Sequence, residues 1–297
     1  MYVLMGANGN ITSKLATILT GRGKQVRVIG RNAEHMKALK QAGAELSIGS
    51  AADSSFLARA FKGAEAVYAM IPPDYASPDH RKYQNAVGEA IAQAIASSGA
   101  KNVVSLSSIG GALPSGTGPI AGLHDQEERL KKLPGVNVLH LRAAYFLENH
   151  LHAIGLIKAF GIYPGMIAES VPMSMIATQD IADYAAGELV RPTFKGQDVR
   201  HLAGPRDYSM SETARVLGAA VGKPDLKYVK GDPAQAKAGM VQNGFSQNVA
   251  DLFEEMSNAM SDGRISNSIG TETVIRTPTT LEQFAKVFAA AFAAGGH

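Results

Sequence analysis

The residues Gly6-Ala7-Asn8-Gly9-Asn10-Ile11-Thr12 have the composition and setting of a turn that cradles phosphates. They follow the apolar run Met1–Met5 and open a stretch with Ile11, Leu15, Ile18 and Leu19 on one helical face. Gly21 and Gly23 stop that stretch, and Gln25–Ile29 reads as a second strand. Gly6 permits a sharp backbone turn. Gly9 removes the side chain that would keep a pyrophosphate from the amides and positive dipole of a helix N-terminus. A glycine pattern alone says little; strand, turn, amphipathic helix and strand in that order make it a dinucleotide turn. Thr12 stands where such turns carry a third glycine for close helix packing, so a slightly wider helix approach is expected.

The end of the second strand selects the cofactor. An NAD site places an acid there, about 20 residues past the turn, on the ribose hydroxyls. This chain has Gly30-Arg31-Asn32, with Glu34 the nearest acid. A guanidinium grips a 2′-phosphate through paired charged hydrogen bonds, whereas a carboxylate repels it, so NADP(H) is expected in preference to NAD(H).

A second place for chemistry is His124-Asp125-Gln126-Glu127-Glu128. His124 and Glu128, four apart, would share one helix face, and a histidine beside a carboxylate can act as a general acid near neutral pH. The same spacing describes an ordinary surface pair, and two ligands without a third do not make a metal site. The chain has no cysteine, which removes disulfides, thiol catalysis and cysteine metal sites.

The elements that must position these residues alternate. Strands are expected at 44–48, 66–70, 103–106 and 136–141, and helices at 33–41, from a cap at Asp53, at 79–98 and at 123–133. Ile71-Pro72-Pro73 leaves the fourth strand, and Ser107-Ser108 ends the fifth, at the carboxyl edge where ligands sit in open α/β sheets. The prolines would frame a nicotinamide ribose or simply stiffen a loop. The glycine- and proline-rich stretch 109–122 reads as a mobile lid. Beyond Tyr145 the alternation loosens into helices at 151–160, 179–190, 209–221, 233–260 and 279–294, ending in a frayed tail, with short strands near 199–202 and 226–229. The fold class is therefore α/β, a Rossmann-type doubly wound parallel sheet with a smaller, mainly helical C-terminal substrate lobe. The nucleotide-binding part spans 1–150 and the lobe 151–297, the strand near 198–203 returning to the sheet.

Of the 297 residues 45% are hydrophobic and 19% charged, and the net charge of +3 is scattered, so no basic stripe points to nucleic acid or a membrane surface. Met1 runs straight into the first strand and no apolar run reaches about 18 residues, so a cytoplasmic protein without a signal peptide or membrane span is expected.

The sequence resembles the NmrA-like group of atypical short-chain dehydrogenases, which includes NADPH-dependent quinone oxidoreductases. The likeness lies in Gly6–Ile11, Arg31-Asn32, Ala66-Val67 through Pro72-Pro73, Val103 through Gly110, Leu141–Asn149, Asp180-Ile181-Ala182 and Pro278–Glu282. It implies that Gly6, Asn8, Gly9, Asn10 and Ile11 hold the pyrophosphate and Arg31 the 2′-phosphate. It further implies that Ile71, Pro72 and Ser107 lie along the nicotinamide half and that Tyr145, Phe146 and Asn149 close the pocket. Gly49-Ser50 departs from the Gly-Asp frequent near the adenine in such proteins.

Conventional short-chain dehydrogenases protonate their product from a Tyr-x-x-x-Lys pair, and there is no tyrosine between Ser108 and Ala144. A simple ketone would leave a strongly basic alkoxide, whereas a quinone leaves a delocalised anion that takes its proton from water. The expected reaction is hydride transfer from NADPH to a quinone-like or other conjugated small-molecule acceptor, the protein supplying position, with no flavin. Tyr75, Tyr145, Phe146, Phe160 and Tyr163 could line the acceptor pocket or the core; His150 and His152 neighbour that segment. The alternative is an NADP(H)-binding redox sensor acting through a regulatory protein partner. A sugar-nucleotide epimerase fits poorly without the tyrosine pair, and a homodimer stays open.

Overall fold

The computed structural model describes residues 1–295. Strands β1 (Tyr2–Met5), β2 (Val26–Gly30), β3 (Glu45–Ile48), β4 (Ala66–Ala69), β5 (Asn102–Ser108) and β6 (Asn137–Ala143) alternate with helices α1 (Asn10–Gly21), α2 (Lys37–Gln41), α3 (Ser54–Phe61), α4 (His80–Ser98) and α5 (Ile120–Leu130). The second half adds β7 (Tyr145–Phe146), α6 (Ile154–Phe160), β8 (Tyr163–Gly165), β9 (Met173–Ile176), α7 (Thr178–Val190), β10 (Gln197–Ala203), β11 (Asp207–Tyr208) and α8 (Met210–Ala220). It closes with β12 (Tyr228–Lys230), α9 (Pro233–Gln242), α10 (Gln247–Ser261), α11 (Arg264–Asn267), β13 (Thr273–Arg276) and α12 (Leu281–Ala293).

Eight strands form one sheet in the order β13-β10-β6-β5-β4-β1-β2-β3, each neighbouring pair parallel. This is a Rossmann-type doubly wound sheet, with the strand order reversing between β1 and β4, where such sheets open a ligand crevice. The strands are apolar on both faces because helices cover both. α1 and α7 bury Leu15, Leu19, Ile181 and Leu189 with Leu4 and Val28 on one side. α3 and α4 bury Leu57, Phe61, Val87 and Ile91 with Val3 and Val67 on the other.

Local signals fix several boundaries. Asp53 caps α3 by accepting from the Phe56 amide at 2.9 Å, and Gly99 ends α4 at φ +81°. Ser209 caps α8, and Thr280 and Gln283 form a capping box on α12. Gly88 and Gly122 face across α4 and α5; a Cβ at either would collide with Gln126 or Gln84, so the two helices approach closely.

Several expectations need correction. The stretch 33–41 is a 3-10 turn at Glu34–Met36 followed by the short α2, and a longer 3-10 turn at Leu147–Ala153 precedes α6. α5 starts at Ile120, not Leu123. The stretch before it is tied down, with Gln84, Arg81 and Arg264 donating to the carbonyls of Pro119, Pro114 and Gly116 at 3.0, 3.1 and 3.1 Å. On α12 Leu281, Phe284 and Phe288 are buried, while Val287 is 54% exposed. β13 lies in a stretch that the sequence pattern assigned to neither helix nor strand; it is a sheet edge of four residues, too short to carry a clear alternation. The C-terminal part is helical in the main but adds two small sheets, β11-β9-β7 and β12-β8. Of the expected frayed tail, residues 296 and 297 lie outside the described residues.

Candidate functional site

The glycine turn has the form its sequence demands. Gly6 sits at φ +78°, and a Cβ on it would lie 2.6 Å from Met70 Sδ, so both conformation and space require glycine. Gly9 is the N-cap of α1 and offers no capping side chain, leaving the first-turn amides for a ligand. Asn8 and Asn10 are exposed beside it, while Ile11 is buried in the core, so its backbone alone faces the turn. Thr12, at the missing glycine, is buried and donates to the Met5 carbonyl at 2.8 Å, which ties α1 to β1 by a hydrogen bond. Asn8 Nδ2 approaches His35 Nδ1 at 3.4 Å, a neighbour the sequence reading did not single out.

Arg31 leaves β2 exposed at the same carboxyl edge, with neither an ion pair nor a hydrogen bond among the described residues. An uncapped helix N-terminus, a glycine cradle and an unpaired guanidinium together fit a dinucleotide carrying a 2′-phosphate.

Across the switch point, Ile71 is buried and the Pro72 carbonyl accepts from Tyr83 Oη at 2.8 Å. Burial pushes the Tyr83 phenol above its ordinary range. The loop after the prolines is roofed by the start of α10: the Ser246 amide donates to Tyr75 O and the His80 amide to Asn248 Oδ1, both at 2.9 Å. Tyr75 stacks on Phe245 with ring centroids 4.9 Å apart, so it fastens this roof.

The five aromatic candidates therefore separate. Phe160 is 68% exposed on α6, and Tyr163 is buried in the core against His150 and Tyr228. Phe146 packs against the sheet core. Tyr145 remains, lining a hollow of about 20 Å³ with Ile109, Met173, Met260 and Ile265, and Ser174 and Ser266. Burial raises its phenol to about 12, against a lowering hydrogen bond from Asn149. His150 is no surface histidine: it is fully buried, and burial lowers it to about 3.

The largest departure concerns His124. Glu128 points outward and pairs with Lys131 at 2.7 Å, so the expected His124–Glu128 pair does not form. His124 Nδ1 instead donates to the Gly111 carbonyl at 2.9 Å, and Nε2 has no partner among the described residues. The carboxylate on the inner face of α5 is Glu127. It accepts from Ser107 Oγ at 2.5 Å and from Arg142 Nε and Nη2 at 3.0 and 2.7 Å. Arg142 Nη1 continues to both oxygens of Glu272 at 2.8 Å, and His201 Nε2 meets Glu272 Oε2 at 2.7 Å. The parallel register places Ser107 opposite Arg142 and Arg142 opposite His201, so three neighbouring strands present polar groups to α5 in one row. The sequence reading missed Arg142, His201 and Glu272 as site residues and passed over Glu127 within its own motif. The available signal was polar residues inside otherwise apolar strands.

The NmrA-like family matches residues 2–285, and the chain belongs to that family. Among curated proteins it is 25% identical over 224 residues, 75% of each chain, to the (4-alkanoyl-5-oxo-2,5-dihydrofuran-3-yl)methyl phosphate reductase of Streptomyces griseus. Among solved structures it resembles the NADPH complex of the Escherichia coli NADPH-dependent quinone oxidoreductase, with TM-score 0.76 and 20% identity over 97% of this chain and 99% of that one. The triphenylmethane reductase of Citrobacter sp. with NADP(H) gives TM-score 0.77 and 17% identity over 97% and 100%. These likenesses establish the fold over nearly the whole chain. Two segments of the family resemblance meet in space, Asp180 accepting from the Thr279 amide and hydroxyl at 3.0 and 2.6 Å.

Proposed function

We propose that this protein is an NADPH-dependent oxidoreductase that delivers hydride to a quinone-like or other conjugated, electron-poor acceptor. The observation that carries the cofactor reading is the unpaired Arg31 at the carboxyl edge beside the uncapped glycine turn. Gly6, Asn8, Gly9, Asn10 and Ile11 would hold the pyrophosphate and Arg31 the 2′-phosphate, while Ile71, Pro72 and Ser107 border the nicotinamide half. Bound there, NADPH supplies the hydride with its two electrons.

The chain's own residues favour an acceptor that carries its own charge. The phenol at the hollow, Tyr145, sits at about 12, a weak acid with Asn149 as its neighbour. It is poorly suited to protonate an alkoxide in the transition state. A conjugated acceptor spreads the charge that arrives with the hydride and takes its proton afterwards, from water or from the imidazolium form of His124. Ile109, Met173, Met260 and Ile265 make the wall apolar, and a flat ring requires the two flexible methionines to move aside, because the hollow itself holds only about 20 Å³. The relatives' names support the same class: a quinone, a triphenylmethane dye and an acyl dihydrofuranone are all conjugated.

The test is NADPH oxidation followed by nicotinamide absorbance against simple quinones, an enone and a triphenylmethane dye, with NADH in parallel. Acceptor-dependent turnover with NADPH preferred is expected. Tight NADPH binding with no turnover on any acceptor would replace this reading by that of a redox sensor with a protein partner.

A further inference from the structure

The hydrogen of the Ser107 hydroxyl is committed to Glu127, whose Oε1 lies 2.5 Å away. Glu127 has no proton to exchange for it. Burial alone would raise its carboxyl, but the Arg142 hydrogen bonds, with the charges of His140 and Arg142 and the bond from Ser107, hold it below its ordinary range. Arg142 in turn has Nη1 engaged by Glu272, so the guanidinium is occupied on both sides. Gly111 completes the enclosure: a Cβ there would stand 2.7 Å from Glu127 Oε1 and 2.9 Å from Ser107 Oγ. A hydroxyl whose hydrogen is committed offers a ligand only its oxygen lone pairs.

We propose that Glu127 is a positioning residue that fixes Ser107 as a pure acceptor, and that Ser107 so fixed selects an N–H donor at the carboxyl end of β5. The proposal rests on the dinucleotide reading above. In that reading Arg31 holds the adenine half over β2, and the other half crosses the switch point toward β4 and β5. The N–H donor of that half is the nicotinamide carboxamide. Ser107 then orients the ring and does not protonate the acceptor.

Calorimetric binding of NADPH and of its 3-acetylpyridine analogue separates the possibilities, because the analogue keeps the carbonyl and replaces the amide nitrogen by methyl. The wild type is expected to bind the analogue roughly fivefold more weakly, the worth of one hydrogen bond. Ser107→Ala should lose affinity for NADPH alone and bind the two alike. Glu127→Met, checked for folding by circular dichroism, releases the hydroxyl hydrogen toward the analogue's carbonyl and should narrow the gap by strengthening the analogue. The same gap in wild type and Ser107→Ala overturns the selection by Ser107. An unchanged gap in folded Glu127→Met overturns the positioning role. No NADPH binding by the wild type overturns both the proposal and the dinucleotide reading.

Discussion

Arg142 holds Glu127 through both carboxylate oxygens beneath α5, the two side chains 3% and 1% exposed. Taking such charges out of water is costly, and their geometry must offset it; removing one partner leaves the other charged and buried. Arg142→Met is therefore expected to destabilise the fold by about 3–5 kcal/mol. Glu272→Gln, at a side chain 33% exposed, should cost far less. Denaturant titration of the two variants checks the order, and equal losses would show that the inner pair is not the critical one.

Arg31→Ala should weaken NADPH binding by roughly tenfold and leave NADH within about twofold, because only the 2′-phosphate is lost as a partner. Calorimetry with both cofactors reads this directly. A parallel loss for both would place Arg31 elsewhere than on the 2′-phosphate.

Gly6→Ala meets two obstacles, the positive φ and Met70 Sδ, and should cost on the order of 1–3 kcal/mol and disturb the turn. Gly21, on α1 with nothing within 4 Å of its Cβ position, is the control: Gly21→Ala should be neutral or stabilise by up to about 1 kcal/mol. Thermal melts of both variants decide it.

His150 gives the stability a pH dependence. Its ring lies among Tyr145, Tyr163 and Met175, with Tyr163 Oη 2.5 Å from Nδ1, and burial lowers it to about 3. Between its unfolded value near 6.5 and about 3, the unfolded chain binds a proton that the native state does not, so stability falls as pH falls. The slope from this group approaches about 1.4 kcal/mol per pH unit. His150→Phe should flatten the stability curve in that window; an unchanged slope would assign the acid sensitivity to other groups.

His124→Ala distinguishes proton sources. With Nδ1 donating to the Gly111 carbonyl, Nε2 carries a proton to deliver only when the ring is the imidazolium. If it does so, an enone, whose reduced carbanion needs protonation, should slow by about 10²-fold. A quinone should change less than threefold. Steady-state rates on both acceptors check this, and equal rates for wild type and variant on the enone would remove His124 from the mechanism.

The sequence by itself determined what neighbouring residues encode. The run from Met1 to Arg31 carries strand, glycine turn, helix and strand in order, each signal within a few residues of the element it shapes. The Asp53 cap and the extent of α4 were legible for the same reason. Only the tertiary structure decided which polar groups meet. Ser107, Glu127, Arg142, His201 and Glu272 come from β5, α5, β6, β10 and the approach to β13, and their pairing depends on strand register and on the close α4–α5 crossing at Gly88 and Gly122. The four-residue rule joined His124 to Glu128, but the sheet beneath α5 drew in Glu127 instead. The aromatic candidates were likewise sorted by burial against distant partners, Tyr163 into the core, Phe160 to the surface and Tyr145 to the hollow. Periodicity marks which face of an element is buried. It does not say against what, because that contact is made between residues far apart in the chain.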